Sequence, residues 1–121
     1  MMASSLACLA LAIYIESRNQ PENGQVAVGY TVINRASHPG FPKTICKVVD
    51  SAEFTWNKKA KIREPEAYSD SLKLARKLLR HEVQDPTHGA LYFHHQRVHP
   101  SWASKMHKIT KIGKHIFYNN G

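Results

Sequence analysis

Carboxylates are scarce in this chain. Nine Asp and Glu stand against 17 Lys and Arg in 121 residues, so any acid chemistry falls on few candidates. Glu22, Asp50, Glu64, Glu66, Asp70 and Asp85 lie near helix ends or in polar stretches and read as solvated, while Glu82 reads as half-buried on its helix. Glu16 differs. It follows a run from Met1 to Ile15 that carries no charged side chain, at the last turn of a nearly all-apolar helix. There it either points out at the helix end or faces a cleft. In a cleft, burial raises a carboxyl pKa and keeps the group protonated near neutral pH, as a general acid requires. The partial negative charge of a helix C-terminus pushes the same way. Glu53 is the other acid in notable company, beside Phe54 and Trp56. Sugar C–H faces stack on aromatic rings, and glycoside cleavage ordinarily uses two carboxylates. Glu16 and Glu53 are therefore the pair the sequence nominates. The alternative is that Phe54 and Trp56 pack in the core and Glu53 is merely exposed beside them.

The histidines raise a metal question. His94, His95 and His99 form an HHxxxH pattern, followed by His107 and His115. Neutral imidazoles at close spacing bind zinc, and on a helix His95 and His99 would point the same way. Leu91-Tyr92-Phe93, Arg97 and Pro100 argue against a helix there, and no Asn lies between His95 and Asn119 to complete a His-Asn-His nuclease. The expectation is no metal and no cofactor. There is no GxSxG, P-loop or GxGxxG pattern. Cys46 sits among Thr44, Ile45, Val48 and Val49 and reads as a packed sulfur rather than a nucleophile. Cys8 and Cys46 either pair or stay as buried thiols; two cysteines do not fix the compartment.

These groups need elements to hold them. Ser4 or Ser5 caps a first helix over about 5–18, apolar on almost every side and hence central. Pro21 suits the first turn of a second helix reaching Arg35, with Val26, Tyr30 and Ile33 on its apolar stripe. His38-Pro39-Gly40-Phe41-Pro42 is a loop, Thr44 caps a short turn through Val49, and residues 53–56 read as extended. The clearest helix runs from Pro65 to Val83. Residues 90–94 read as a strand, and 112–118 as another or as an extended tail. The fold class is α+β, mainly helical with a small antiparallel sheet, in one domain over 1–121.

With 42% apolar and 21% charged residues the chain can bury a modest core, which excludes intrinsic disorder. Leu6 to Ile15 is too short to span a bilayer and has no basic segment before it, so neither a transmembrane segment nor a signal peptide is expected. The net charge of +8 seeks a polyanion: nucleic acid, acidic lipid or an envelope polymer. The excess is uneven. Residues 61–121 hold eleven of the basic side chains, and no acid occurs after Asp85. A solvated basic face is the plain alternative.

The order of segments then becomes recognisable. Ala12-Ile13-Tyr14-Ile15-Glu16-Ser17-Arg18, Gly24-Gln25-Val26-Ala27-Val28 and Val32-Ile33-Asn34-Arg35 resemble the spore-cortex-lytic cell-wall hydrolase family. The likeness continues through residues 41–49, Glu53-Phe54-Thr55-Trp56, residues 85–93, Trp102, and Ile112-Gly113-Lys114-His115-Ile116-Phe117-Tyr118. It spans nearly the whole chain in order, though no single motif would suffice. The resemblance implies a lysozyme-superfamily-like domain that cleaves peptidoglycan between N-acetylmuramic acid and N-acetylglucosamine, generally as a lytic transglycosylase. It places Glu16 at the family's catalytic glutamate. Asn34, Tyr92 and His115 match family positions and become candidates for orienting the sugar or Glu16, with Glu53, Phe54, Trp56 and His94 as further substrate contacts. The family more often has Gln where this chain has Glu53, so a hydrolytic muramidase using Glu16 plus Glu53 is one alternative. A zinc-dependent cell-wall amidase or peptidase using His94, His95 and His99 is another. Peptidoglycan strands and anionic envelope polymers are the expected partners, with no specific nucleic acid, for a monomer acting at the cell envelope. A bare basic catalytic domain beginning at Met has the form of a phage-type endolysin released through a separate pore; a chain trimmed from a longer protein would look the same.

Overall fold

Ser4 stands extended before the first helix and its hydroxyl accepts from the Ala7 amide at 3.1 Å, which satisfies one of the open donors at a helix start. The helix that follows, α1 (Ser5–Ser17), has small and aliphatic side chains on every side, and Leu9, Ala10, Ala12 and Ile13 are completely buried. It is the post around which α2 (Glu22–Ala36), α3 (Ile45–Asp50) and α4 (Pro65–Leu79) pack. The computed structural model describes residues 4–51 and 62–120, so Glu53, Phe54 and Trp56 lie outside the described residues. No helix among the described residues is long and apolar enough to cross a membrane.

Pro21 sits at the cap position of α2, one residue outside the helix. Farther along, Gly29 lets α2 approach both neighbours: a Cβ there would collide with Leu78 of α4 and come within 3.0 Å of Ile13 of α1. Thr44 caps α3 by accepting from the Lys47 amide at 3.2 Å. Cys8 and Cys46 are joined as a disulfide that ties α1 to α3 across 38 residues of chain. In the chain-entropy picture, closing a loop of that length stabilises the fold by about 3–4 kcal/mol.

The fourth helix stops at Leu79, short of the expected Val83. His81 adopts a left-handed conformation (φ 56°). Its amide bonds the Leu78 carbonyl at 3.0 Å, and the Glu82 amide reaches back to Lys77 at 2.9 Å. That is a Schellman closure, and it satisfies the end carbonyls with His where Gly is usual. The apolar period running on to Val83 hid it. Glu82 therefore lies beyond the helix and is exposed rather than half-buried on it.

Among the described residues the sheet has three antiparallel strands, β1 (Tyr92–His95), β2 (His107–Ile112) and β3 (His115–Asn119), in the order β1-β3-β2. Phe93 pairs with Phe117 and His95 with His115. The expected single strand or tail over 112–118 is instead the closing half of a β2–β3 hairpin, turned at Gly113 (φ 59°). A register shift between Lys108 and Thr110 breaks the alternation along β2, so its pattern does not read as a strand. Successive residues point to opposite faces. Phe93 and Phe117 turn toward Ala27 and Val28 of α2. Tyr92, His94 and Tyr118 turn the other way, where the 3₁₀ turn Ser101–Lys105 lays Trp102 against all three rings.

Candidate active site

The last turn of α1 is fixed before Glu16 is considered. Ser17 is buried, and its hydroxyl donates to the Ile13 carbonyl at 2.8 Å. The Tyr14 hydroxyl accepts from the Arg63 and Glu64 amides, both at 3.0 Å, pinning the entry of α4. Arg18 lies over the Tyr14 ring at 5.0 Å and pairs with Glu64. A second set of contacts holds the opposite wall. Gln20 Oε1 accepts from the Lys114 amide at 2.9 Å, and the Lys114 carbonyl accepts from the Gln96 amide at 2.8 Å. The loop after α1, the hairpin turn and the end of β1 are thus tied together.

Between these walls lies a cleft of about 350 Å³ lined by Glu16, Arg18, Asn19, Gln20, His95 and Lys114. Glu16 is half-buried in it, and burial pushes its carboxyl above the usual carboxylate range. No hydrogen bond or ion pair among the described residues engages that carboxyl. A carboxyl group so placed keeps its proton to higher pH and has it free to give. Behind the cleft His115 is buried, its ring edge-on to His95 at a centroid distance of 5.7 Å and to Phe93 at 5.2 Å. Burial, with His95 and His94 adding to it, lowers the His115 pKa to about 4, so the imidazole is neutral at ordinary pH. Its Nδ1 has no hydrogen-bond partner among the described residues.

The other sequence candidates among the described residues lie elsewhere. Asn34 donates both amide hydrogens inside the protein, to Asp85 Oδ2 at 2.9 Å and the Ala90 carbonyl at 3.0 Å, so it braces α2 against the 85–90 loop. Tyr92 faces away from the cleft, in tilted ring contact with Trp102 and Phe41 and under the Arg35 guanidinium at 5.2 Å. His94 shares that outer face. Its Nδ1 donates to the His95 carbonyl at 2.8 Å, which leaves Nε2 to take the Tyr118 hydroxyl at 2.8 Å. Both nitrogens are used. His95 Nδ1 accepts from the Arg97 amide at 3.1 Å, and His99 is exposed in the following loop. The zinc reading therefore finds no shared donor set: among the described residues, no three His, Cys, Asp or Glu side chains are grouped to hold a metal.

Asp85 also corrects an expectation. It is not simply solvated, because it accepts from the Thr87 amide (2.8 Å), the Thr87 hydroxyl (2.7 Å), the Gly89 amide (3.0 Å) and Asn34. The cleft residues the sequence left unnamed are Lys114, Arg18 and Gln20, and His95 was named only as a zinc ligand, not beside Glu16. The signal for His95 was present, since alternation from Phe93 puts it on the inner face. Nothing local marks Lys114 or Gln20, whose meeting is set by the hairpin.

Comparison with known proteins gives a consistent picture. The sequence profile of a family described as Cell Wall Hydrolase matches residues 19–118, a span that begins just beyond Glu16. The spore cortex-lytic enzyme of Bacillus cereus is 34% identical over 113 residues, covering 90% of this chain and 42% of that protein. That of Bacillus subtilis is 32% identical over 113 residues, covering 90% and 35%. The chain thus spans less than half the length of these relatives. The crystal structure of the catalytic domain of the Bacillus cereus SleB protein superposes with a TM-score of 0.73 at 31% identity, over 95% of this chain and 89% of that one. The catalytic domain of the germination-specific lytic transglycosylase SleB from Bacillus anthracis gives 0.69 at 30% identity, over 98% and 97%.

Proposed function

The chain belongs to the cell wall hydrolase family, and from that membership we propose that it cleaves peptidoglycan glycan strands as a lytic transglycosylase, with Glu16 as acid and then base. The observation that carries the reading is a half-buried carboxyl group, raised by burial, opening on a cleft at the end of a rigid central helix. Protonated Glu16 gives its proton to the glycosidic oxygen between N-acetylmuramic acid and N-acetylglucosamine as that bond breaks. The carboxylate left behind then takes the proton of the muramoyl 6-hydroxyl while its oxygen attacks C1, which returns Glu16 to its starting state and leaves a 1,6-anhydro end. An internal hydroxyl replaces water, so one carboxyl group suffices. The Bacillus anthracis domain, similar in fold and sequence, is a lytic transglycosylase, which supports this outcome. The His115 imidazole, packed against His95 of the cleft lining and neutral at ordinary pH, adds no further positive charge that would favour the ionised form of Glu16.

The hydrolytic alternative would use Glu53 as a base for water, and Glu53 lies outside the described residues. Mass spectrometry of digested glycan separates the two. Anhydro-muropeptides, lighter by one water, are expected; reducing muramic ends would overturn the transglycosylase outcome. The partner is the cell wall, with anionic envelope polymers drawn to the acid-free segment after Asp85. Activity on intact walls should then fall as salt screens the attraction, and a flat response from low to physiological salt would remove that role.

A further inference from the structure

Among the described residues two permanent cations line the Glu16 cleft, and they are not equivalent. Arg18 is committed to Glu64. Lys114 is exposed and has no acidic partner among the described residues, and no acid occurs in the sequence after Asp85 that could serve it from its own hairpin. Its backbone is nonetheless fixed. The Lys114 amide and carbonyl are bonded to Gln20 and Gln96, on two other segments. Gly113 before it adopts φ 59°, where a Cβ would collide with Gln20 Oε1 and come within 3.1 Å of Pro21. Nor does the lysine serve Glu16. The shift of that carboxyl comes from burial, with no cation pulling it back. A cation close to Glu16 would hold it as a carboxylate and defeat the acid.

A lysine whose backbone is pinned at the cleft and whose ammonium has no acidic partner among the described residues is available to negative charge in the bound polymer. The N-acetylhexosamine backbone of a glycan strand has none. Its acidic groups are confined to the 3-O-lactyl substituent of muramic acid and the peptide that substituent carries. We infer that Lys114 is a specificity-determining residue that engages a carboxylate of the muramoyl substituent and so selects strands whose muramic residues carry anionic side groups. The inference rests on the peptidoglycan reading above and adds which chemical feature of the strand the cleft recognises. One charged contact near the surface is expected to change kcat/KM about fivefold.

The test compares two preparations of the same glycan strands, one with its carboxylates free and one with them converted to methylamides. Wild type should lose about fivefold in kcat/KM on the blocked strands, mainly through KM. Lys114→Met and Lys114→Gln should lose about that much on free strands and nothing more on blocking, while Lys114→Arg keeps the discrimination. Lys47→Gln, an exposed change on α3 remote from the cleft lining, should discriminate as wild type does and so controls for net charge. Discrimination that survives in Lys114→Met and Lys114→Gln, or a wild type indifferent to blocking, would overturn the assignment. Failure of the cleavage reading shows separately, as a wild type that releases fragments from neither preparation, and takes this proposal with it.

Discussion

Glu16 and Asp85 are both half-buried carboxylic acids beside a helix end, and their surroundings are opposite. Asp85 accepts four hydrogen bonds, from two backbone amides, a hydroxyl and the Asn34 amide, so its oxygens are occupied in holding a loop. Glu16 receives none from the described residues and opens on a cleft, with burial raising its pKa. Burial alone does not separate a reactive acid from a structural one. On the proposed assignment the count of donors does: the carboxylate surrounded by N–H and O–H groups is a fixture, and the one left without them among the described residues is the acid.

The sharpest way to break the comparison is to remove the acid from Glu16 and keep its shape. Glu16→Gln should lower kcat on cell-wall substrate by about 10³-fold, within the range general acid catalysis supplies. Its thermal midpoint should match or exceed that of wild type, because a buried carboxylate no longer has to form. A folded Glu16→Gln protein that clears walls at the wild-type rate would refute the assignment of Glu16. Asp85→Asn should do the reverse. Both Asp85 oxygens face only donors, so either orientation of the new amide sets N–H against N–H or O–H. The expected cost is about 2–3 kcal/mol of stability, measured by denaturant unfolding. Activity per folded molecule should change little, and a large loss of kcat with stability intact would place Asp85 in the chemistry.

How much of this is legible in sequence differs between the two acids. Glu16 is visible because its helix is apolar on every side, so the first charge after Ile15 stands out in composition alone. The caps Ser4 and Thr44 are local and equally readable. Asp85 is not, since its partners are set by the left-handed turn at His88 and Gly89 and by Asn34 on another helix. The family resemblance offered Asn34, Tyr92 and His115 for orienting the sugar or Glu16, with His94 as a further contact, but motif membership does not say which face of a strand a residue occupies. Tyr92 and His94 turn to the outer aromatic layer with Trp102, and the imidazole beside Glu16 is His95. The β2 strand was hidden for a related reason: a bulge changes the parity that sequence reading relies on.

The smallest effect concerns pH and sets Glu16 against His115, two buried groups whose shifts run in opposite senses. The raised Glu16 pKa means the folded state holds that proton more tightly than the unfolded chain. Its contribution to stability is present at low pH and is lost as pH rises through the folded value. His115, lowered to about 4 from 6.5, holds its proton less tightly when folded, so its contribution is present above 6.5 and is lost as pH falls toward 4. Below neutrality the two work against each other. His115→Phe removes one of them and suits a site already edged by Phe93 and Phe117. The thermal midpoint of wild type relative to this variant should therefore fall steadily between pH 6.5 and 4, following the folded and unfolded values of the imidazole. A difference that stays constant over that interval would mean that His115 accepts its proton as readily in the fold as out of it. The neutral wall behind Glu16 would then have to be attributed to another group.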